Sequence, residues 1–223
     1  MEIDRRAALA CFALTFGACA TTGVNLVDPA LTTHPQGVPI ATLLRVPPPF
    51  RQLPRITIPI EDKTVATREV FVEAEASGVV RRAVIVQFEA VNAGSDFRFR
   101  YPATPPETFG AHVYRFTSFA YDDERAAAAE PRKEAAQTRA LMIQQHLKPP
   151  RYWQVVRLAR VAGASGLHEF IVFYLENADA RYRSGPPLAD ADGDIPLDDA
   201  TRTRLMSALR RTVKIVYDPP AGA

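Results

Sequence analysis

Two short segments carry residue types that hydrolytic enzymes use. The first, Gly163-Ala164-Ser165-Gly166, places a serine between glycines. A nucleophile elbow needs the pattern G-x-S-x-G at a turn from a strand into a helix. Here the second glycine comes one residue early, and the sequence on both sides alternates as strands do. We therefore predict a hairpin loop and assign no catalytic residue.

The second segment, His168-Glu169, begins like the zinc-binding pattern H-E-x-x-H. Val172 stands where the second histidine is needed, and only a helix would bring positions i and i+4 onto one metal ion. The remaining histidines are scattered and lack ligand spacing: His34, His112 and His146. The sequence predicts no metal site.

An acidic loop from Asp190 to Asp194 partly matches a calcium-binding loop. Acidic residues occupy positions one, three and five, but position six is Ile195 and position twelve is Thr201. An EF-hand needs glycine and a bidentate glutamate at those two positions. We therefore interpret the loop as a solvated lead into a helix capped near Asp198, and we predict no cofactor.

Aromatic residues form a constellation that could line an apolar cavity or simply fill the core. The set comprises Phe97, Phe99, Tyr101, Tyr114, Phe116, Phe119, Tyr152 and Trp153.

The N-terminus has the three-part layout of an export signal. Arg5 and Arg6 lie in a short charged start, twelve mostly apolar residues follow from Ala7 to Ala18, and Cys19 comes next. Because a membrane-spanning helix needs about 20 apolar residues, we interpret residues 1–18 as a signal peptide.

Phe16-Gly17-Ala18-Cys19 resembles the lipobox of bacterial lipoproteins. The resemblance implies lipidation of Cys19 after cleavage, and Ala20 in the next position resembles outer-membrane sorting. The lipobox usually has Leu, Val or Ile where this chain has Phe16. Ala18-Cys19-Ala20 also fits ordinary signal peptidase cleavage, which would release a soluble periplasmic protein. Arg5-Arg6 resembles a twin-arginine signal, and a plain secretory signal remains the alternative.

Composition limits the function classes. The formal net charge is +2, which is too small for nucleic-acid binding to be expected. Of the two cysteines, Cys11 lies within the signal peptide, so the mature chain has no internal disulfide. Hydrophobic residues make up 47% of the chain, as in a globular protein.

We divide the chain into a signal peptide (1–18), a proline-rich tether (19–54), one domain (55–217) and a tail (218–223). Alternation of apolar and polar residues predicts a long hairpin around Ser77-Gly78, within residues 70–92. Similar alternation predicts strands over 97–101, 111–121, 151–162, 167–177 and 213–217. The 167–177 strand is apolar on both faces, which predicts a central position in a sheet that is covered on each side.

Two helices complete the predicted domain. Ala136, Ala140, Ile143 and Leu147 form one helical stripe between prolines. The second helix spans 198–211, and we expect Leu205 and Leu209 on its inward face and arginines near its end. The order predicts an α+β fold: a mainly antiparallel sheet of six or seven strands with both helices on one face. A β-sandwich or half-barrel with helices is the alternative.

These patterns favour a non-enzymatic lipoprotein of the cell envelope. We expect an outer-membrane anchor on Cys19, a domain that faces the periplasm, and binding of an envelope protein partner or an apolar ligand. The alternative is an envelope hydrolase with a dispersed active site, for which Ser165 and His168 are the candidate pair.

Overall fold

The computed structural model of the protein describes residues 25–27, 43–101, 106–185 and 193–217. The predicted signal peptide, Cys19, His34, the predicted C-terminal tail, Asp190 and Asp192 lie outside these ranges. The strands are β1 (Asn25–Val27), β2 (Leu43–Val46), β3 (Arg51–Gln52), β4 (Ile56–Ile60), β5 (Thr64–Ala74), β6 (Val80–Val91), β7 (Pro106–Phe109), β8 (His112–Asp122), β9 (Tyr152–Ala162), β10 (His168–Asn177), β11 (Ile195–Pro196) and β12 (Lys214–Tyr217). The helices are α1 (Asp123–Ala129), α2 (Glu134–Gln144) and α3 (Asp199–Thr212).

Nine strands form one open, antiparallel sheet. Its order is β11-β8-β9-β10-β6-β5-β3, with β4 also paired to β5 and β7 to β8. The predicted hairpin is β5–β6. Its turn requires Gly78, which has a φ of 84° and lies where a Cβ would be 3.2 Å from the His146 carbonyl oxygen. The α+β class with a mainly antiparallel sheet is thus confirmed.

Helices cover both faces of this sheet. Leu205 and Leu209 of α3 pack on the face to which β10 contributes Phe170. Leu141 and Met142 of α2 pack on the opposite face. We expected both helices on one face. The apolar residues on both sides of β10 need two covering layers, and one helix supplies each layer.

Helix α2 is rotated relative to the expected stripe. Ile143 is 54% exposed, whereas Thr138, Leu141 and Met142 are buried. The hydroxyl of Thr138 accepts a hydrogen bond from Arg68 of the sheet at 2.6 Å. A buried guanidinium needs such polar partners, so a polar residue lies on the inward face of this helix.

Part of the expected tether packs with the domain. Leu44, Val46 and Phe50 are buried in the same core as α3. Strand β2 pairs with β1 and with β12, which forms a separate three-stranded sheet. Residues 43–53 therefore belong with the domain, which we expected to begin at residue 55. Alternate apolar residues on a short strand explain the packing of Leu44 and Val46.

Residues 97–101 are not a strand, contrary to our expectation. Strand β6 already pairs with β5 on one side and with β10 on the other, so the next segment has no free edge beside it. The backbone N–H of Phe99 instead donates to the Gly166 carbonyl at 2.8 Å. The segment therefore runs as a loop against the β9–β10 turn. None of the helices within the described ranges is long and apolar enough to span a membrane.

Candidate functional site

A group of charged and polar side chains lies within the main sheet, on the face that α2 covers. We call it the Arg–Glu cluster. Its members are Arg68 of β5, Gln87 and Glu89 of β6, Arg115 of β8, Arg157 of β9 and Glu169 of β10. Arg68, Gln87, Glu89 and Glu169 are all buried. Because a buried charge is costly unless it is paired, the partners of each side chain indicate what the cluster can do.

Strand register brings these residues together. Glu89 lies directly opposite Glu169 on the neighbouring strand, and Arg68 lies opposite Gln87. Side chains that face each other across antiparallel strands have Cβ atoms about 4.5–5.5 Å apart. The antiparallel pairing therefore places two carboxyl groups side by side in the core.

Arg68 joins the sheet to α2. Its Nη1 donates to the Thr138 hydroxyl at 2.6 Å and to the Glu134 carbonyl at 3.0 Å. Its Nε donates to the side-chain oxygen of Gln87, and its guanidinium lies 5.4 Å from the centre of the Phe173 ring. Arg68 thus has three hydrogen-bond acceptors, and two of them belong to α2, so this arginine links the helix to the sheet.

The carboxyl groups of Glu89 and Glu169 are both buried within the cluster. Glu89 accepts hydrogen bonds from the Gln87 amide and from the Thr64 hydroxyl, while burial raises its pKa. Burial, together with the neighbouring Glu89 carboxylate, raises the pKa of Glu169 to about 9. Glu169 is therefore protonated at neutral pH, although Arg157 Nη2 lies 3.4 Å from its Oε1. A neutral carboxyl of this kind can donate a hydrogen bond or release a proton.

Arg115 and Arg157 lie at the outer side of the cluster. The Arg115 guanidinium lies 5.6 Å from the centre of the Tyr101 ring. In the part of the chain that the structure describes, the buried Arg115 Nε and Tyr101 hydroxyl have no hydrogen-bond partner. Within the described residues, Arg115 and Arg157 have fewer hydrogen-bond acceptors than Arg68.

The proposed hydrolytic pair is placed in two different environments. Ser165 is exposed in the β9–β10 turn, where its hydroxyl accepts a hydrogen bond from the Leu167 N–H at 3.3 Å. His168 is 2% exposed on β10, and burial lowers its pKa. A nucleophile should be hydrogen-bonded to its base. An exposed turn serine and a core histidine do not form that arrangement.

Asp198, which follows the calcium-like loop, has a structural role. The Asp198 carboxylate caps α3 by accepting from the Thr201 N–H at 2.7 Å and from Arg181 at 2.8 Å, as the helix-capping interpretation predicted. His112 lies on β8 and His146 follows α2. Across the described ranges, no three His, Cys, Asp or Glu residues are grouped so that they could hold a metal ion.

The aromatic set is spread over several parts of the described domain. Tyr114 and Phe116 lie on the α3 face, whereas Phe119 and Trp153 lie on the α2 face. A separate cleft of about 200 Å³ lies beside the end of α3. None of the eight aromatic residues lines it; its lining is Pro47, Pro48, Pro49, Phe50, Arg82, Ala208, Arg211 and Thr212. Tyr114, Phe116, Phe119, Tyr152 and Trp153 thus belong to core clusters, whereas Phe97 and Tyr101 are partly exposed.

Our reading of the sequence missed the Arg–Glu cluster, although one signal was present. Gln87 and Glu89 occupy alternate positions between the apolar residues of β6, and Arg157 interrupts an apolar strand. Polar residues on a face that should be buried indicate a network or a site. Which residues they contact depends on strand register, which local sequence does not specify.

No protein-family model matches the chain, and neither the curated proteins nor the solved structures include a significant match.

Proposed function

We propose that the protein is a cell-envelope lipoprotein whose α+β domain is a non-enzymatic binding module. Lipid on Cys19 anchors it to the outer membrane, and the domain faces the periplasm. The observation that carries this proposal is the N-terminal sequence: a charged start, an apolar run of twelve residues and Phe16-Gly17-Ala18-Cys19.

The placement of the catalytic candidates supports binding over hydrolysis. The Ser165 hydroxyl completes a turn, and His168 is buried in the core on β10. Residues engaged in this way stabilise local structure and are not poised to react with a substrate.

Of the two kinds of binding partner, a protein of the envelope is favoured over an apolar ligand. Five of the eight aromatic residues that could have lined an apolar pocket pack within core clusters. The cleft beside α3, at about 200 Å³, is smaller than the roughly 300–1,000 Å³ of common ligand pockets. We therefore favour recognition by the surface of the domain over recognition in this cleft.

Intact-mass analysis of the membrane fraction tests the anchor. We expect a chain that begins at Cys19 and carries diacyl or triacyl modification. Cys19→Ser should leave the precursor uncleaved or release the protein, whereas Cys11→Ser, which alters the cysteine within the signal peptide, should leave the mature mass unchanged. A soluble product that begins at Thr21 would contradict the proposal.

A panel of ester and amide substrates tests the non-enzymatic assignment. We expect background turnover for the wild-type protein and for Ser165→Ala alike. Turnover by the wild-type protein that Ser165→Ala abolishes would establish the hydrolase alternative.

A further inference from the structure

Two arginines lie beside each other at the outer side of the Arg–Glu cluster. Arg115 pairs with Ala159, and Arg157 pairs with Thr117 on the same two strands. Arg115 and Arg157 are therefore diagonal neighbours on one face of the sheet. Long side chains at diagonal positions can contact each other. Burial and the adjacent Arg115 charge lower the pKa of Arg157, and the Glu89 and Glu134 carboxylates only partly offset this effect. Like charges held this close favour an anion between them.

Among the described residues, neither guanidinium has as many acceptors as Arg139, another partly buried arginine. Arg139 donates to Asp123 at 2.7 Å, to Glu124 at 3.0 Å and to the Pro150 carbonyl at 3.0 Å. Arg157, by contrast, has one carboxyl contact, at 3.4 Å from Glu169. Within the described residues, the buried Nε of Arg115 has none. The raised pKa of Glu169 means that this carboxyl does not neutralise the pair at neutral pH.

Neutral donors lie at the same place. Thr117 stands directly opposite Arg157, so its hydroxyl lies on the same face. The Tyr101 hydroxyl is buried beside Arg115 and, in the part of the chain described, has no partner. A cluster of two guanidinium groups and two hydroxyls fits the several oxygens of one tetrahedral anion.

The geometry points to a phosphate-binding site formed by Arg115 and Arg157, with Thr117 and Tyr101 as additional donors. This inference rests on the proposed binding function and adds the chemistry of the group that is recognised. The Arg157 side chain is 23% exposed, and Thr117 and Arg115 are partly exposed, so a phosphate group would approach from this side.

Calorimetric titration of the mature protein with inorganic phosphate, at constant ionic strength, tests the site. We expect saturable binding with one phosphate per chain. Arg115→Gln and Arg157→Gln should each raise the dissociation constant about tenfold or more, as expected for loss of a charge-assisted hydrogen bond. Arg81→Gln is the matched control because Arg81 is an exposed arginine on β6, and it should bind like the wild-type protein.

Two conservative variants keep the test informative if an arginine variant fails to fold. Thr117→Val and Tyr101→Phe each remove one hydroxyl and should weaken phosphate binding severalfold with little change in melting temperature. No saturable phosphate binding by the wild-type protein, equal weakening in Arg81→Gln, or equally tight binding of acetate would each overturn the inference. The lipid on Cys19 is measured independently by mass, so the phosphate site can fail while the lipoprotein proposal stands.

Discussion

The buried carboxyl of Glu169 makes the stability of the domain depend on pH. Its pKa is raised from 4.5 to about 9, first by burial and then by Glu89. The folded protein therefore binds a proton that the unfolded chain releases above about pH 4.5. The associated stability is fully present below that pH and is lost as the pH rises towards 9.

The size of the effect follows from the shift. Each pKa unit corresponds to about 1.4 kcal/mol, so the wild-type protein should lose about 4 kcal/mol between pH 5 and pH 8 from this group. Glu169→Gln replaces the protonated acid with a neutral side chain of similar shape. We expect the variant to be more stable than the wild-type protein at pH 8 by several kcal/mol and similar to it at pH 5.

Urea unfolding of both proteins at several pH values, with the slope m compared at each, measures this difference. Glu75→Gln is the control, because Glu75 is exposed at the end of the hairpin and its replacement should preserve the wild-type pH dependence. Parallel curves for Glu169→Gln and the wild-type protein across this range would refute the reasoning. So would a variant that is less stable at every pH, because the carboxylate would then be stabilised by Arg157.

The remaining predictions concern packing. Leu209→Ala should cost about 2–5 kcal/mol in denaturant unfolding, because Leu209 is fully buried between α3 and the sheet. Arg204→Ala on the same helix should cost at most about 1 kcal/mol, since its half-exposed side chain pairs with Glu176; equal losses would contradict the placement of α3. A chain that begins at residue 55 should lack a cooperative melting transition, because it loses Leu44 and Val46 from the core, whereas one that begins at residue 25 should melt like the mature protein.

The local sequence pattern predicts those strands, turns and helices that local interactions define. The hairpin around Gly78 follows from alternation and a turn residue, and α3 follows from its capping Asp198 and its apolar stripe. The loop at 97–101 was mistaken for a strand because its alternation is genuine but both edges of β6 are occupied. Pairing partners far away in the chain decide such cases, and they are not visible in a short window.

The functional features were the hardest to predict for the same reason. The Arg–Glu cluster depends on register across five strands, so its members are separated by long stretches of sequence. Thr138 faces inward on α2, where its hydroxyl accepts a hydrogen bond from Arg68. Leu44 and Val46 stand among prolines, and only their burial shows that this segment belongs to the domain. In each case a tertiary contact determines the structural role of the residue.

The pairing of β2 with β12 has a consequence for the order of folding. Leu44 is registered against Ile215, so nearly the whole domain separates two strands that lie side by side. Because a chain is synthesised from its N-terminus, β2 must wait for its partner until the last strand is made. Closing so long a loop is entropically costly, and contacts of this range form slowly. We therefore expect the three-stranded sheet to be completed last, with the β12 side of β2 unpaired until then.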